Sequence, residues 1–326
     1  MNKEKIIKFI NLILSTDNLD QISIENYKQV KHILENIDSL EFENFSHTIK
    51  RSSDIIKIMS ENFDLYNDSF LKFKKTNIVD YNQIRKELHF YPSYNEKKGI
   101  EIKKKIEKIY EKHHYILKID SIELNLFFYG NLDYNIITNM SRIIFLFFKT
   151  FFKNSKIYDK YNIRFLLIDF PRLLDSKKSK NTYSFKDLGE KGYYNNSSGV
   201  NIFSKKELVV TRKSGLQGLF IHELIHMLGL DFCYSLKDNE HINILGWEKS
   251  WIERNNIKTN DNNILSFIEG ICNTNSSYFL AIYNSIYLSK KINDGKEMKY
   301  FKYFLFVEFV YAYINAAKLI SYFNFN

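Results

Sequence analysis

The stretch GLFIHELIHMLGL, residues 218–230, sets two histidines four positions apart, with a glutamate directly after the first. On an α-helix, positions four apart are offset by only about 40°. His222 and His226 therefore point the same way, one turn apart, and Glu223 lies on the adjoining flank. Zn²⁺ takes neutral imidazole nitrogens at about 2.0–2.1 Å, and such a pair supplies half a tetrahedral site from one rigid element. Glu223 is then placed to accept a proton from an attacking water without occupying the ion. In a chain with eight histidines, chance production of H-E-x-x-H is on the order of 1%. The rest of the helix sharpens the case. Ile221, Leu224, Ile225 and Leu228 occupy the side away from the histidines, with Phe220 and Met227 at its edge, so burial nearly all round is expected. A buried helix seldom carries two His and a Glu on one stripe unless something pairs with them. That favours a metal over a structural cluster of three satisfied polar residues.

Two histidines need a third protein ligand, and its identity decides the class of site. A metzincin places a histidine or aspartate six residues after the second histidine, and this chain has Phe232 there. Asp231, one residue early in GLDF, reads as an anchor for the turn after the helix. A gluzincin takes a glutamate from a later helix, for which Glu240, Glu248, Glu253 and Glu269 are the candidates. Glu248 and Glu253 bracket the polar KSWIERNN segment and read as surface ion-pair residues. Glu269 sits among Ile264, Leu265, Ile268 and Ile271, on what should be a buried helix. A buried carboxylate needs a partner, and a metal would be one; a Lys or Tyr would be another. Asn273 follows Glu269 by one turn and could hold a zinc-binding histidine by hydrogen bond. His241, alone in a polar loop, is the outside alternative and reads as solvated. The expected set is His222, His226 and Glu269 as ligands, Glu223 as general base and Asn273 in support. Tyr278, Tyr283, Tyr311 and Tyr313 could stabilise an oxyanion, but among 23 tyrosines the sequence does not choose.

The elements that must position these residues follow from periodicity. Residues 1–112 read as a run of helices: SIENYKQVKHILENI and SSDIIKIMSENF carry apolar residues at three- and four-residue steps, each opening with a Ser suited to an N-cap. From 115 to 130 apolar and polar residues alternate, which predicts a strand or hairpin. Residues 135–152 predict a buried helix and 163–170 a buried strand stopped by Pro171. GVNIF (199–203) and ELVVTR (207–212) predict two short strands around a Lys-Lys turn. Ser214 with Gln217 gives a capping-box signature for the start of the histidine helix, and Gly229 a stop.

Composition bounds the rest. The chain has 326 residues, 44% hydrophobic and 16% aromatic, which excludes a disordered protein. A formal net charge of +9 could attract an acidic partner. However, its densest run, KKGIEIKKKIEKIYEKHH (97–114), alternates Lys and Glu like a solvated helix face, and no nucleic-acid motif accompanies it. No specific nucleic-acid partner is expected. With only two cysteines, Cys233 and Cys272, two thiols in a reducing, cytoplasmic setting are expected. The N-terminal apolar run is interrupted by Lys8 and Asn11 and reads as an amphipathic helix rather than a secretory signal. In the aromatic C-terminal stretch, Glu308 and Lys318 break any membrane span, which makes a core helix the expectation.

The segment SSGVNIF...ELVVTRKSGLQGLFIHELIHMLGLDF resembles the zincin-like proteins of large nucleocytoplasmic DNA viruses, as does the Glu269 segment with its following ICN. The likeness spans roughly residues 115–290, and TRKSGLQ departs from the acidic and aromatic residues many relatives carry before the helix. With the helical periodicity of the N-terminal region (1–112), it implies an α+β, mainly helical chain, with an upper zincin subdomain of a small mixed sheet and the active-site helix (113–231) and a helical lower subdomain with the third ligand (232–326). The implied function is zinc-dependent cleavage of a protein or peptide substrate, with ELVVTR aligning that substrate as an added edge strand, in a host cytoplasm or a virion. Two other classes stay open. One is a catalytically silent zincin-fold structural or virion protein; the other is a nucleic-acid-associated protein motivated by charge alone.

Overall fold

A computed structural model describes residues 3–15, 21–36, 46–88, 103–130, 132–152, 160–168, 199–202, 206–213, 215–228, 230 and 267–323. The chain is α+β and mainly helical, and forms two compact units, each assembled from separated stretches of sequence. One comprises residues 1–70, 138–156 and 277–326; the other comprises 71–137 and 157–276.

The first unit is helical. Helices α1 (Lys3–Leu14), α2 (Gln21–Asn36) and α3 (Ser46–Leu65) lead the chain. In α1, Ile6, Phe9, Ile10 and Ile13 are buried at three- and four-residue steps, as the amphipathic reading requires. Phe9 packs on Tyr300, Tyr303 and Phe304 of the last helix, its ring 4.9 Å from that of Tyr303. Among the described residues, no helix is long and apolar enough to cross a membrane.

The second unit is built on a six-stranded mixed sheet. Its strands are β1 (Leu71–Ile78), β2 (Glu111–Ile119), β3 (Ile122–Tyr129), β4 (Lys160–Ile168), β5 (Gly199–Ile202) and β6 (Glu207–Arg212). Their order across the sheet is β1-β2-β3-β4-β6-β5. The outer pairs are antiparallel, and β3/β4 and β4/β6 are parallel. A short helix α4 (Tyr81–Glu87) follows β1, α5 (Tyr134–Phe151) connects β3 to β4, and α6 (Leu216–Met227) follows β6. Helices α7 (Phe267–Ile292) and α8 (Glu297–Phe323) complete the chain.

Three expectations need correction here. Strand β1 falls within the stretch read as all helical. Among the described residues it is an edge strand with an exposed face and a register shift between Phe73 and Lys75, so its pattern never shows clean alternation. Lys72, Lys74 and Lys75 blunt that edge against further pairing. Second, the Lys/Glu run does not continue as a helix to 114: β2 begins at Glu111. Third, ELVVTR is no edge strand. As β6 it pairs with β4 on one side and β5 on the other.

Paired residues share a sheet face, and the two faces differ in chemistry. Phe128, Phe165 and Val210 are in register on one face, where the Phe128 and Phe165 rings stack 4.7 Å apart. Phe220 of α6 packs there, 5.7 Å from Phe165. On the opposite face Tyr129, Leu166, Ile168 and Val209 close a core with Val79, Ile84, Leu88 and Ile106. Beside that core runs a charged network. Lys112 donates to both Glu87 oxygens at 2.8 and 2.9 Å, and the Tyr129 hydroxyl donates to Glu87 Oε2. Arg164 donates to the Tyr129 oxygen at 3.1 Å and to Glu207 Oε1 at 2.6 Å. Four buried or half-buried charges thus offset one another under α4.

Candidate metal centre

Helix α6 leaves the sheet directly after β6. Gly215 occupies its N-cap with φ 65° and ψ 24°, a left-handed conformation that a side chain would strain. Gly215 has no side chain and forms no side-chain cap hydrogen bond; Ser214, and with it the expected capping box, lies outside the described residues. The sharp glycine turn sets the helix back against β5 and β6. At the other end the Leu228 N–H donates to the Leu224 carbonyl and the Leu230 N–H to that of Ile225; Gly229, the expected stop, lies outside the described residues.

Phe220, Ile221, Leu224, Ile225 and Met227 are buried, which fixes the rotation of α6 and turns its polar stripe to one side. His222 is 9% exposed, and Glu223 and His226 are half-buried. The ring centroids of His222 and His226 lie 4.7 Å apart, and their Nε2 atoms approach to 3.1 Å.

The other ring nitrogens are engaged by α7. Asn273 Oδ1 lies 3.0 Å from His222 Nδ1, and Cys272 Sγ lies 3.6 Å from His226 Nδ1. One turn further on, the Ser276 hydroxyl donates to the Gly218 carbonyl at 2.7 Å. As α7 advances from 272 to 276, its partners on α6 run back from 226 to 218, so the helices are antiparallel here. Because Asn273 Oδ1 only accepts, His222 Nδ1 carries the proton, and in the neutral ring Nε2 presents a lone pair toward His226.

This arrangement allows a direct test of fit to zinc. Two nitrogens on a tetrahedral ion at about 2.0–2.1 Å lie roughly 3.3 Å apart. The observed 3.1 Å is about 0.2 Å shorter than that span. Outer partners on the far ring nitrogens are the usual support for ligating histidines. His222 and His226 therefore fit the ion as a pair. Among the described residues no third His, Cys, Asp or Glu joins them.

The other sequence candidates divide as follows. Glu269 lies in the first turn of α7, one turn before Asn273; the description there covers its backbone only. Asp231, Phe232, Cys233, Glu240, His241, Glu248 and Glu253 lie outside the described residues. Tyr278 donates to Ser52 Oγ at 2.8 Å and Tyr283 to Asn139 Oδ1 at 2.6 Å, so both hydroxyls are engaged within the first unit. Burial, ahead of its neighbours' charges, holds the Tyr283 phenol well above its ordinary range. Tyr311 is half-buried on α8, and the Tyr313 side chain lies outside the described residues.

Sequence reading missed Cys272 and Ser276 as contacts of α6. The available signal was their spacing: 272, 273 and 276 share one face of a helix once Asn273 is placed against a histidine. Compared with protein-family models, with curated proteins and with solved structures, the chain matches none.

Proposed function

We propose that this chain is a zinc-dependent metallopeptidase of gluzincin type, acting on a protein or peptide. The observation that carries this reading is the convergence of His222 and His226 Nε2 at 3.1 Å, with Glu223 on the adjoining flank of the same helix. His222, His226 and Glu269 would hold the ion. Bound there, zinc supplies a Lewis acid that polarises a scissile carbonyl and acidifies water. The chain's own residues do the remaining work. Asn273 keeps the His222 proton on Nδ1. The Glu223 carboxylate accepts a proton from the attacking water and passes it to the leaving amine.

Among the described residues strand β5, not β6, is the last strand of the sheet next to α6, and its outer edge is where an extended peptide would add as a further strand. The host-cytoplasm or virion setting that the resemblance of residues 199–232 implies is part of the same proposal.

Metal analysis tests the site itself. The purified protein should hold about one zinc per chain, and His222→Ala or His226→Ala should lose it. Full occupancy in either variant would remove the basis of the reading.

A further inference from the structure

The two histidines are held by partners of different chemistry. Asn273 Oδ1 can only accept, so it allows His222 a single neutral form, with the proton on Nδ1. A thiol can donate through S–H or accept through sulfur. Cys272 therefore matches either neutral form of His226 across the 3.6 Å contact at Nδ1. It lies on the ring nitrogen that does not face His222, which makes it a partner of the ring rather than a ligand. Cys272 is fully buried, so water does not compete for this contact.

With both rings neutral, the 3.1 Å approach of the two Nε2 atoms has two chemical solutions. In one, His226 carries its proton on Nε2 and donates it to the bare Nε2 of His222; its Nδ1 then accepts from the Cys272 S–H. In the other, both Nε2 lone pairs face an ion, the His226 proton sits on Nδ1, and Cys272 sulfur accepts it. The exchange moves one proton from Nε2 to Nδ1 through solvent, rotates one S–H, and leaves the charge of the ring unchanged.

We propose that Cys272 is a positioning residue for His226, whose thiol serves both neutral forms and lets the ring pass from pairing with His222 to ligating metal without moving. This rests on the zinc reading, and it concerns how the site is loaded.

The test uses the full chain, stripped with chelator or loaded with zinc, as wild type, Cys272→Val and Cys272→Ser. Valine fills the volume without a donor or acceptor, and serine keeps both functions. Imidazole ¹⁵N chemical shifts should report His222 protonated on Nδ1 throughout. In the wild type, His226 should be protonated on Nε2 when stripped and on Nδ1 when loaded. Chelator competition should show zinc affinity lowered roughly 10- to 100-fold in Cys272→Val, with Cys272→Ser falling less. Equal losses in both variants, or none in valine, would overturn the proposal. So would a His226 that keeps one form in both wild-type states. If the wild type takes up no zinc, the peptidase reading fails separately; stripped His226 shifts identical in wild type and Cys272→Val would then overturn the positioning role as well.

Discussion

His222, Glu223 and His226 were legible from the sequence because their chemistry is local: four-residue spacing on a helix fixes relative direction whatever the tertiary context. Asn273 was legible only through its spacing from Glu269, and it meets His222 Nδ1 at 3.0 Å. Cys272 was not, because a small apolar residue on a buried helix carries no sign of which histidine it will meet. The contact between α7 and α6 also supplies a prediction at this scale. Asn273→Ala removes the acceptor that fixes the His222 proton and should weaken zinc binding roughly 10- to 100-fold. Asn273→Asp keeps an acceptor and should retain most of the affinity. Isothermal titration or chelator competition checks this, and equal affinities for alanine and wild type would contradict it.

Helices and strands from residue 115 to 212 fell close to their expected ranges because alternation and three-to-four periodicity are strong there. The order of strands in the sheet is a different kind of information. Whether β6 lies inside the sheet or at its edge depends on pairing with β4, some forty residues earlier in the chain, and no local pattern encodes it. Strand β1 was missed for a related reason: its burial is that of an exposed edge, with little alternation to read. The charged network on the face opposite α6 was equally invisible, since it joins α4, β2, β3, β4 and β6. Glu207→Gln removes the carboxylate charge that faces the Arg164 guanidinium at 2.6 Å and should cost about 3 kcal/mol of unfolding free energy. Replacing both residues with apolar ones of similar volume should recover much of that loss, as read by chemical denaturation; a change indistinguishable from zero in the single variant would contradict the network. Glu87 makes the network sensitive to acid. Burial alone would raise its carboxyl, but hydrogen bonds from Lys112, Tyr129 and Gln83, with the charge of Lys112, outweigh it and hold the pKa below the ordinary 4.5. A group depressed in this way adds stability above its unfolded pKa, and that stability is lost as pH falls through the folded pKa. The stability gap between wild type and Glu87→Gln should therefore be full at neutral pH and shrink below about pH 4.5. A gap that does not change with pH would contradict this.

For the whole molecule, the two compact units interleave along the chain, so a reading by consecutive segments cannot recover them. The +9 charge motivates a nucleic-acid role, but the only features found for it are charge-based, and binding that stays weak at moderate salt would leave it without support. The zinc-holding but silent structural protein is the more serious alternative, because it predicts the same histidines and the same metal. Glu223 separates the two: a peptidase needs its carboxylate and a scaffold does not. The decisive measurement is peptide cleavage by wild type and Glu223→Gln side by side, on a substrate found by proteome-wide screening, with zinc content and melting temperature recorded for both. The amide cannot accept the proton, and general-base assistance is worth roughly 10²- to 10⁴-fold in rate. The account predicts that the variant keeps its zinc and its fold while cleavage falls by that factor. Cleavage as fast as wild type, or no cleavage by either protein while both hold zinc, would contradict it.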